Sequence, residues 1–131
     1  MDQGGCGSCY TIATVGILES KLKIHYGKEK DLSAQFMMSC NFMNEGCHGG
    51  WGLFNGFFLE NYYTTEESCA PYRAVTNFGE CPNYEHCPKV AKVGKTYYIG
   101  GHYGGMNELE MMKEVRANGP IYYDFMAARP F

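Results

Sequence analysis

A chain of 131 residues with 45% apolar side chains can bury one core and does not comfortably hold two domains. Its 14 acidic and 11 basic residues leave a net charge of −3, with no Lys/Arg run, so a nucleic-acid partner is not expected. No stretch approaches the roughly 18 apolar residues of a membrane span, so no membrane partner is expected. The start, Met1-Asp2-Gln3-Gly4-Gly5, is too polar for a signal peptide, which places any targeting segment outside this sequence.

From Cys9 to about Ile24 the positions Ile12, Ala13, Val15, Gly16, Leu18, Leu22 and Ile24 suit a mostly buried helix, with Ser8 as cap and Gly27 as stop. A second helix is expected from Ser33 through Phe36, Met37 and Cys40, and a third from about Gly50 to Glu60. Residues 63–94 carry Pro71, Pro82 and Pro88 with three cysteines, the pattern of an irregular loop stapled by disulfides. Lys95-Thr96-Tyr97-Tyr98-Ile99 reads as a strand. Asn107 can cap a short helix that Asn118-Gly119-Pro120 stops, and Ile121-Tyr122-Tyr123-Asp124-Phe125 is a second strand candidate. Helices followed by strands indicate an α+β class. Two strands are marginal alone, which hints at an incomplete domain.

Seven cysteines, an odd count, suggest disulfide pairs plus one free thiol and an oxidising, secretory setting. The chemistry concentrates in Gln3-Gly4-Gly5-Cys6-Gly7-Ser8-Cys9-Tyr10. A thiolate is a strong nucleophile, and the unpaired N–H groups of a helix start favour the anion. Cys9 sits where that effect is greatest. The same N–H groups can hold an oxyanion, to which Gln3 can add a side-chain amide.

Cys6-Gly7-Ser8-Cys9-Tyr10 resembles the nucleophile signature of papain-family cysteine peptidases. Leu32-Ser33-Ala34-Gln35, Ser39-Cys40 and Gly46-Cys47-His48-Gly49-Gly50 follow in the family's order, near its spacing. Tyr10, Cys69-Ala70-Pro71-Tyr72 and Tyr98-Ile99-Gly100-Gly101-His102-Tyr103-Gly104-Gly105 are similar to the cathepsin C (dipeptidyl peptidase I) branch, in its heavy-chain part. The resemblance implies Cys9 as nucleophile, Gln3 as oxyanion donor, and Gly49, Gly50 and Trp51 along the substrate cleft. It implies the disulfides Cys6–Cys47, Cys40–Cys81 and Cys69–Cys87. The implied fold is the mainly helical left lobe of the papain-like peptidase over about residues 1–94, then the start of the right lobe over about 95–131. Met126 to Phe131 depart from the family pattern.

The family's catalytic His and Asn lie downstream of the matched segments. The resemblance therefore implies that a light chain or C-terminal segment supplies both, that substrates are peptides or proteins, and that the setting is lysosomal or extracellular. Without them the chain is expected to have little turnover and to expose apolar surface where the right lobe docks. No cofactor or metal is expected. The cathepsin C branch binds chloride through a Phe backbone N–H and two Tyr hydroxyls. Trp51 and Tyr98 stand at two of those positions, but Leu53 replaces the other Tyr and removes a donor.

Two other readings stay open on the residues alone. Cys6-Gly7-Ser8-Cys9 is also a Cys-x-x-Cys, which serves redox pairs and zinc sites. A non-catalytic, disulfide-rich peptide-binding module would use the same framework. His25, His48, His86 and His102 read as surface or loop residues, with His48 beside the cleft glycines.

Overall fold

The computed structural model describes residues 2–125; the departing segment 126–131 lies outside them, as does the end of the region expected to begin the right lobe. Four α-helices follow one another: α1 (Cys9–Tyr26), α2 (Ala34–Cys40), α3 (Gly52–Asn61) and α4 (Glu108–Asn118). Two 3-10 segments, Gly46–His48 and Phe78–Tyr84, lie between them.

Local chemistry sets the helix ends. Gly27 adopts the left-handed conformation at φ 64°, and its N–H closes α1 on the carbonyls of Leu22 and Lys23. The Ser33 hydroxyl accepts from the Phe36 N–H at 2.9 Å to open α2, and donates to the Ala70 carbonyl at 2.6 Å. Asn107 caps α4 by accepting from the Glu110 N–H at 3.0 Å.

The core lies where α1 crosses α2 and α3. Val15 and Leu18 of α1 meet Phe36 and Met37 of α2 and Phe58 and Leu59 of α3, with Leu32, Ala34 and Ala70 filling in. The long irregular segment folds over this core and is held by two isolated antiparallel bridges, Leu32 to Glu66 and Thr64 to Ala91. Inside it the 3-10 segment Phe78–Tyr84 packs on α2, despite Pro82. Its first turn is tied by the Asn77 side chain, which accepts from the Gly79 N–H at 3.1 Å.

The two strand candidates are a correction. Lys95 to Ile99 and Ile121 to Phe125 form no strand among the described residues. Their β-prone composition is real, but a strand needs a neighbour for its N–H and C=O groups. Side chains hold the first one instead: the Thr96 N–H donates to Glu60 at 2.5 Å, and the Tyr97 hydroxyl donates to Glu114 at 2.5 Å. Ile24, Tyr26, Trp51, Phe57, Leu109 and Met112 remain exposed, so apolar surface is open on α1, α3 and α4.

Candidate active site

Three disulfides join Cys6 to Cys47, Cys40 to Cys81 and Cys69 to Cys87. These are the pairs the resemblance implies, and they leave Cys9 as the free, exposed thiol. Because Cys6 is bonded to Cys47, the Cys-x-x-Cys spacing makes neither a redox pair nor half a zinc site. Cys69, His86 and Cys87 lie within metal-binding distance of one another, but there the two sulfurs are already joined.

The turn before Cys9 is fixed from two sides. The Gly7 N–H donates to the Cys47 carbonyl at 2.8 Å beside the Cys6–Cys47 disulfide, and the Ser8 N–H donates to the Cys6 carbonyl at 2.8 Å. This lays the residues before the nucleophile along the Gly46–Gly50 ribbon. A Cβ on Gly7 would meet the Cys47 carbonyl oxygen at 2.8 Å and the Gly49 nitrogen at 3.4 Å. Tyr10, buried just inside α1, donates its hydroxyl to the Gly46 carbonyl at 3.0 Å. Burial pushes its phenol pKa up, which keeps that donor protonated.

Ser8 stands at the cap position of α1 without capping it. Its backbone, at φ −98° and ψ 8°, is outside the extended cap geometry, and its hydroxyl lies 2.5 Å from the Tyr72 hydroxyl. The first N–H groups of α1 are therefore left without a side-chain acceptor, beside the thiol.

Gln3 is half-buried, and its backbone carbonyl accepts from the Tyr72 hydroxyl at 2.7 Å. Gly49 and Gly50 are half-buried, and Trp51 is 58% exposed at the mouth of α3. Beneath them lies a polar cluster that sequence reasoning did not single out. Asn44 accepts from the Trp51 N–H at 2.8 Å and donates to Asn55 at 3.0 Å. The signal for it was Asn55, an amide set between Leu53, Phe54, Phe57 and Phe58 in α3. Tyr122 was missed as well, since it was read only as strand. Its ring packs on Gly52, and its hydroxyl donates to Asp124 at 2.8 Å. Burial first, then the Asp124 hydrogen bond and charge, raise its pKa.

The residues do not fit a chloride ion. The Trp51 N–H is committed to Asn44, and half-buried Leu53 brings no donor. Only the Tyr98 hydroxyl remains of the three, on an exposed ring stacked edge-on against Tyr103.

No histidine among the described residues hydrogen-bonds Cys9. His25 contacts the Asn118 carbonyl at 3.4 Å, and His86 sits 3.7 Å from the Cys69 sulfur. His102 lies against Gly105, and exposed His48 faces a depression lined by Cys40, Phe42, Phe78 and Cys81.

Comparison with known proteins agrees with this geometry. The family described as papain family cysteine protease matches residues 1–131. Cathepsin C of Schistosoma mansoni is 32% identical over 95% of this chain and 29% of its own length. Cathepsin S of Bos taurus is 34% identical over 91% of this chain and 35% of its own. The chain thus spans about a third of the length of these relatives. Among solved structures, the Carica candamarcensis cysteine protease CMS1MS2, in complex with E-64, aligns with a TM-score of 0.73 and 26% identity, over 88% of this chain and 52% of that one. The bromelain protease of Ananas comosus aligns with a TM-score of 0.72 and 27% identity, over 88% of this chain and 50% of that one. The helical lobe described above is therefore the left lobe of a papain-like fold, and the chain belongs to the papain family of cysteine proteases.

Proposed function

We propose that this chain carries the nucleophile half of a cysteine-type peptidase, with Cys9 as nucleophile and Gln3 as oxyanion donor. The carrying observation is that the one cysteine outside the disulfides is exposed at the uncapped start of α1, on a turn locked to the Gly46–Gly50 ribbon. The Cys9 thiolate attacks the scissile carbonyl carbon and a C–S bond forms. The carbonyl electron pair moves to oxygen, where the Cys9 backbone N–H and the Gln3 amide hold it. The oxyanion then collapses and the C–N bond breaks, the leaving amine taking a proton from a histidine that a light chain or C-terminal segment supplies together with an asparagine, and water afterwards releases the acyl group from Cys9 as a carboxylic acid. Without that general acid, turnover falls by about 10²–10⁴-fold. Gly49, Gly50 and Trp51 line the substrate path. Residues from about 95 onward begin the second lobe. The similarity to cathepsin C and cathepsin S supports a cathepsin-like peptidase, and three disulfides favour a lysosomal or secreted location. The chemistry needs neither metal nor chloride.

A second reading rests on the absence of any histidine bonded to Cys9 among the described residues: a disulfide-rich, peptide-binding module that does not cut. An epoxide inhibitor directed at papain-type thiolates, followed by mass mapping, separates the two. Modification of Cys9 that depends on an added histidine-bearing segment is the expected result. An unmodified Cys9 under both conditions, found in a disulfide or bound to metal, would sink the peptidase reading.

A further inference from the structure

Residues 72–76 form a strap that touches both sides of the cleft. At its start the Tyr72 hydroxyl donates to the Gln3 carbonyl at 2.7 Å. A phenol has one proton, so the 2.5 Å contact with Ser8 is the Ser8 hydroxyl donating to the Tyr72 oxygen. Ser8 is fully buried. At its end, the Thr76 hydroxyl oxygen accepts from the Cys47 N–H at 2.7 Å, on the substrate ribbon. Buried Gln35 grips the middle: it accepts from the Arg73 N–H at 3.0 Å and donates to the Val75 carbonyl at 2.8 Å. Glu67 fixes the base by accepting from the Tyr72 N–H at 2.6 Å. Ala74 holds a left-handed φ of 56°, which a non-glycine residue adopts only where its surroundings dictate it.

Gln3 precedes the Cys6–Cys47 disulfide on a glycine-rich segment, which alone would leave its amide free to wander. An oxyanion donor works only when held in advance of the reaction. We propose that Tyr72 is the positioning residue of this oxyanion site: it fixes the Gln3 backbone and, through Ser8, joins Gln3 to the start of α1, so that the Gln3 amide and the Cys9 N–H share one register. Tyr72 touches no reacting atom and acts through Gln3. The inference rests on the reading of Gln3 as oxyanion donor.

Two probes of Cys9 on the full oxidised chain test it, at about pH 9, where an ordinary thiol is largely ionised. Methyl methanethiosulfonate transfers its methylthio group to the thiolate and expels sulfinate, so no oxyanion forms. An acetyl-dipeptide aldehyde, ¹³C-labelled at the carbonyl, accepts the thiolate at carbon and places the negative charge on oxygen. Tyr72→Phe keeps the ring and removes the donor. It should weaken aldehyde binding about three- to tenfold, the worth of one hydrogen bond, and leave the methanethiosulfonate rate unchanged. Gln3→Ala should weaken aldehyde binding by more, and adding Tyr72→Phe should then cost nothing further, because both act through one donor. Equal slowing of both probes, an unchanged aldehyde affinity, or losses that simply add would overturn the positioning role. A wild-type chain that forms no adduct at Cys9, or that is indifferent to Gln3→Ala, fails at the oxyanion reading itself and takes this inference with it.

Discussion

Asn55 lies in the middle of an apolar helix, fully buried, with its whole amide in use. Its nitrogen donates to the Tyr10 carbonyl at 3.2 Å and to the Thr14 hydroxyl at 3.1 Å, and its oxygen accepts from Asn41 and Asn44, each at 3.0 Å. The residue thus ties α3 to the first turn of α1 and, through Asn44, to the backbone of Trp51. Asn55→Leu would suit the helix and ruin the cluster. It takes the Asn55 acceptor from the Asn41 and Asn44 amides, leaving them only the Phe54 and Trp51 carbonyls at 3.3 and 3.4 Å, at about 1–3 kcal/mol for a buried group left short of a partner. The expected loss is about 3 kcal/mol in urea unfolding, with slower epoxide labelling of Cys9 as the first turn loosens. A loss below about 0.5 kcal/mol, the scatter of a neutral surface change, would show that the amides find other partners. At this scale the sequence was uneven. Cys9 and Gln3 stood out because their chemistry needs a local setting, a glycine-rich turn before a helix. Asn55, Tyr72 and Tyr122 did not, because each acts through partners tens of residues away, such as Gln3 at a separation of 69 from Tyr72.

The turn Cys6–Cys9 and the ribbon Gly46–Gly50 behave as one element, pinned by a disulfide and a backbone bond. Gly7 is where they are closest: an added Cβ would sit 2.8 Å from the Cys47 carbonyl oxygen, a backbone atom that cannot swing aside. Gly7→Ala must therefore push the two segments apart and break the Gly7–Cys47 hydrogen bond. The cost is about 1–3 kcal/mol, as for other forced overpacking. Thermal unfolding should register that loss, and the slowing of Cys9 labelling should exceed that of Gly5→Ala, whose Cβ would meet nothing within 4 Å. Equal behaviour of the two variants would separate the turn from the ribbon. The helices were legible at this scale because their signals are local: Ser33 and Asn107 cap by accepting from N–H groups three residues on, and Gly27 stops α1. Ser8 shows the limit, since Tyr72 takes the hydroxyl that the cap reading assigned to α1. The strands failed for a related reason. Val, Ile, Thr and Tyr content marks a segment that fits a sheet, but it supplies no neighbour. The 3-10 turn through Pro82 was hidden by the same proline that suggested a loop.

Across the whole molecule, two crosslinks of equal span divide the stabilising work: Cys6–Cys47 and Cys40–Cys81, each closing 41 residues. Their spans overlap between residues 40 and 47, so together they bind the chain from residue 6 to residue 81 into one frame. They act on different parts of it. Cys6–Cys47 sits at the candidate site, whereas Cys40–Cys81 fastens α2 to the 3-10 segment Phe78–Tyr84 and borders the depression that His48 faces. That second crosslink involves neither Cys9 nor Gln3, and it meets the ribbon only beside His48. Restricting the unfolded chain over a loop of this length contributes about 4 kcal/mol, against about 5–15 kcal/mol for a typical domain. The helices alone do not offer much in reserve, because α1, α3 and α4 leave Ile24, Trp51, Phe57, Leu109 and Met112 in solvent. Replacing Cys40 and Cys81 together by alanine should therefore lower stability by about 4 kcal/mol in urea unfolding. At low temperature, where the fold survives, Cys9 should keep its epoxide reactivity in the presence of the histidine-bearing segment. If that double variant loses Cys9 reactivity while still folded by circular dichroism, the Cys40–Cys81 crosslink is coupled to the nucleophile through the ribbon beside His48, or through α2 and the strap that Gln35 grips. The framework would then be one mechanical unit, not a site on an independent scaffold.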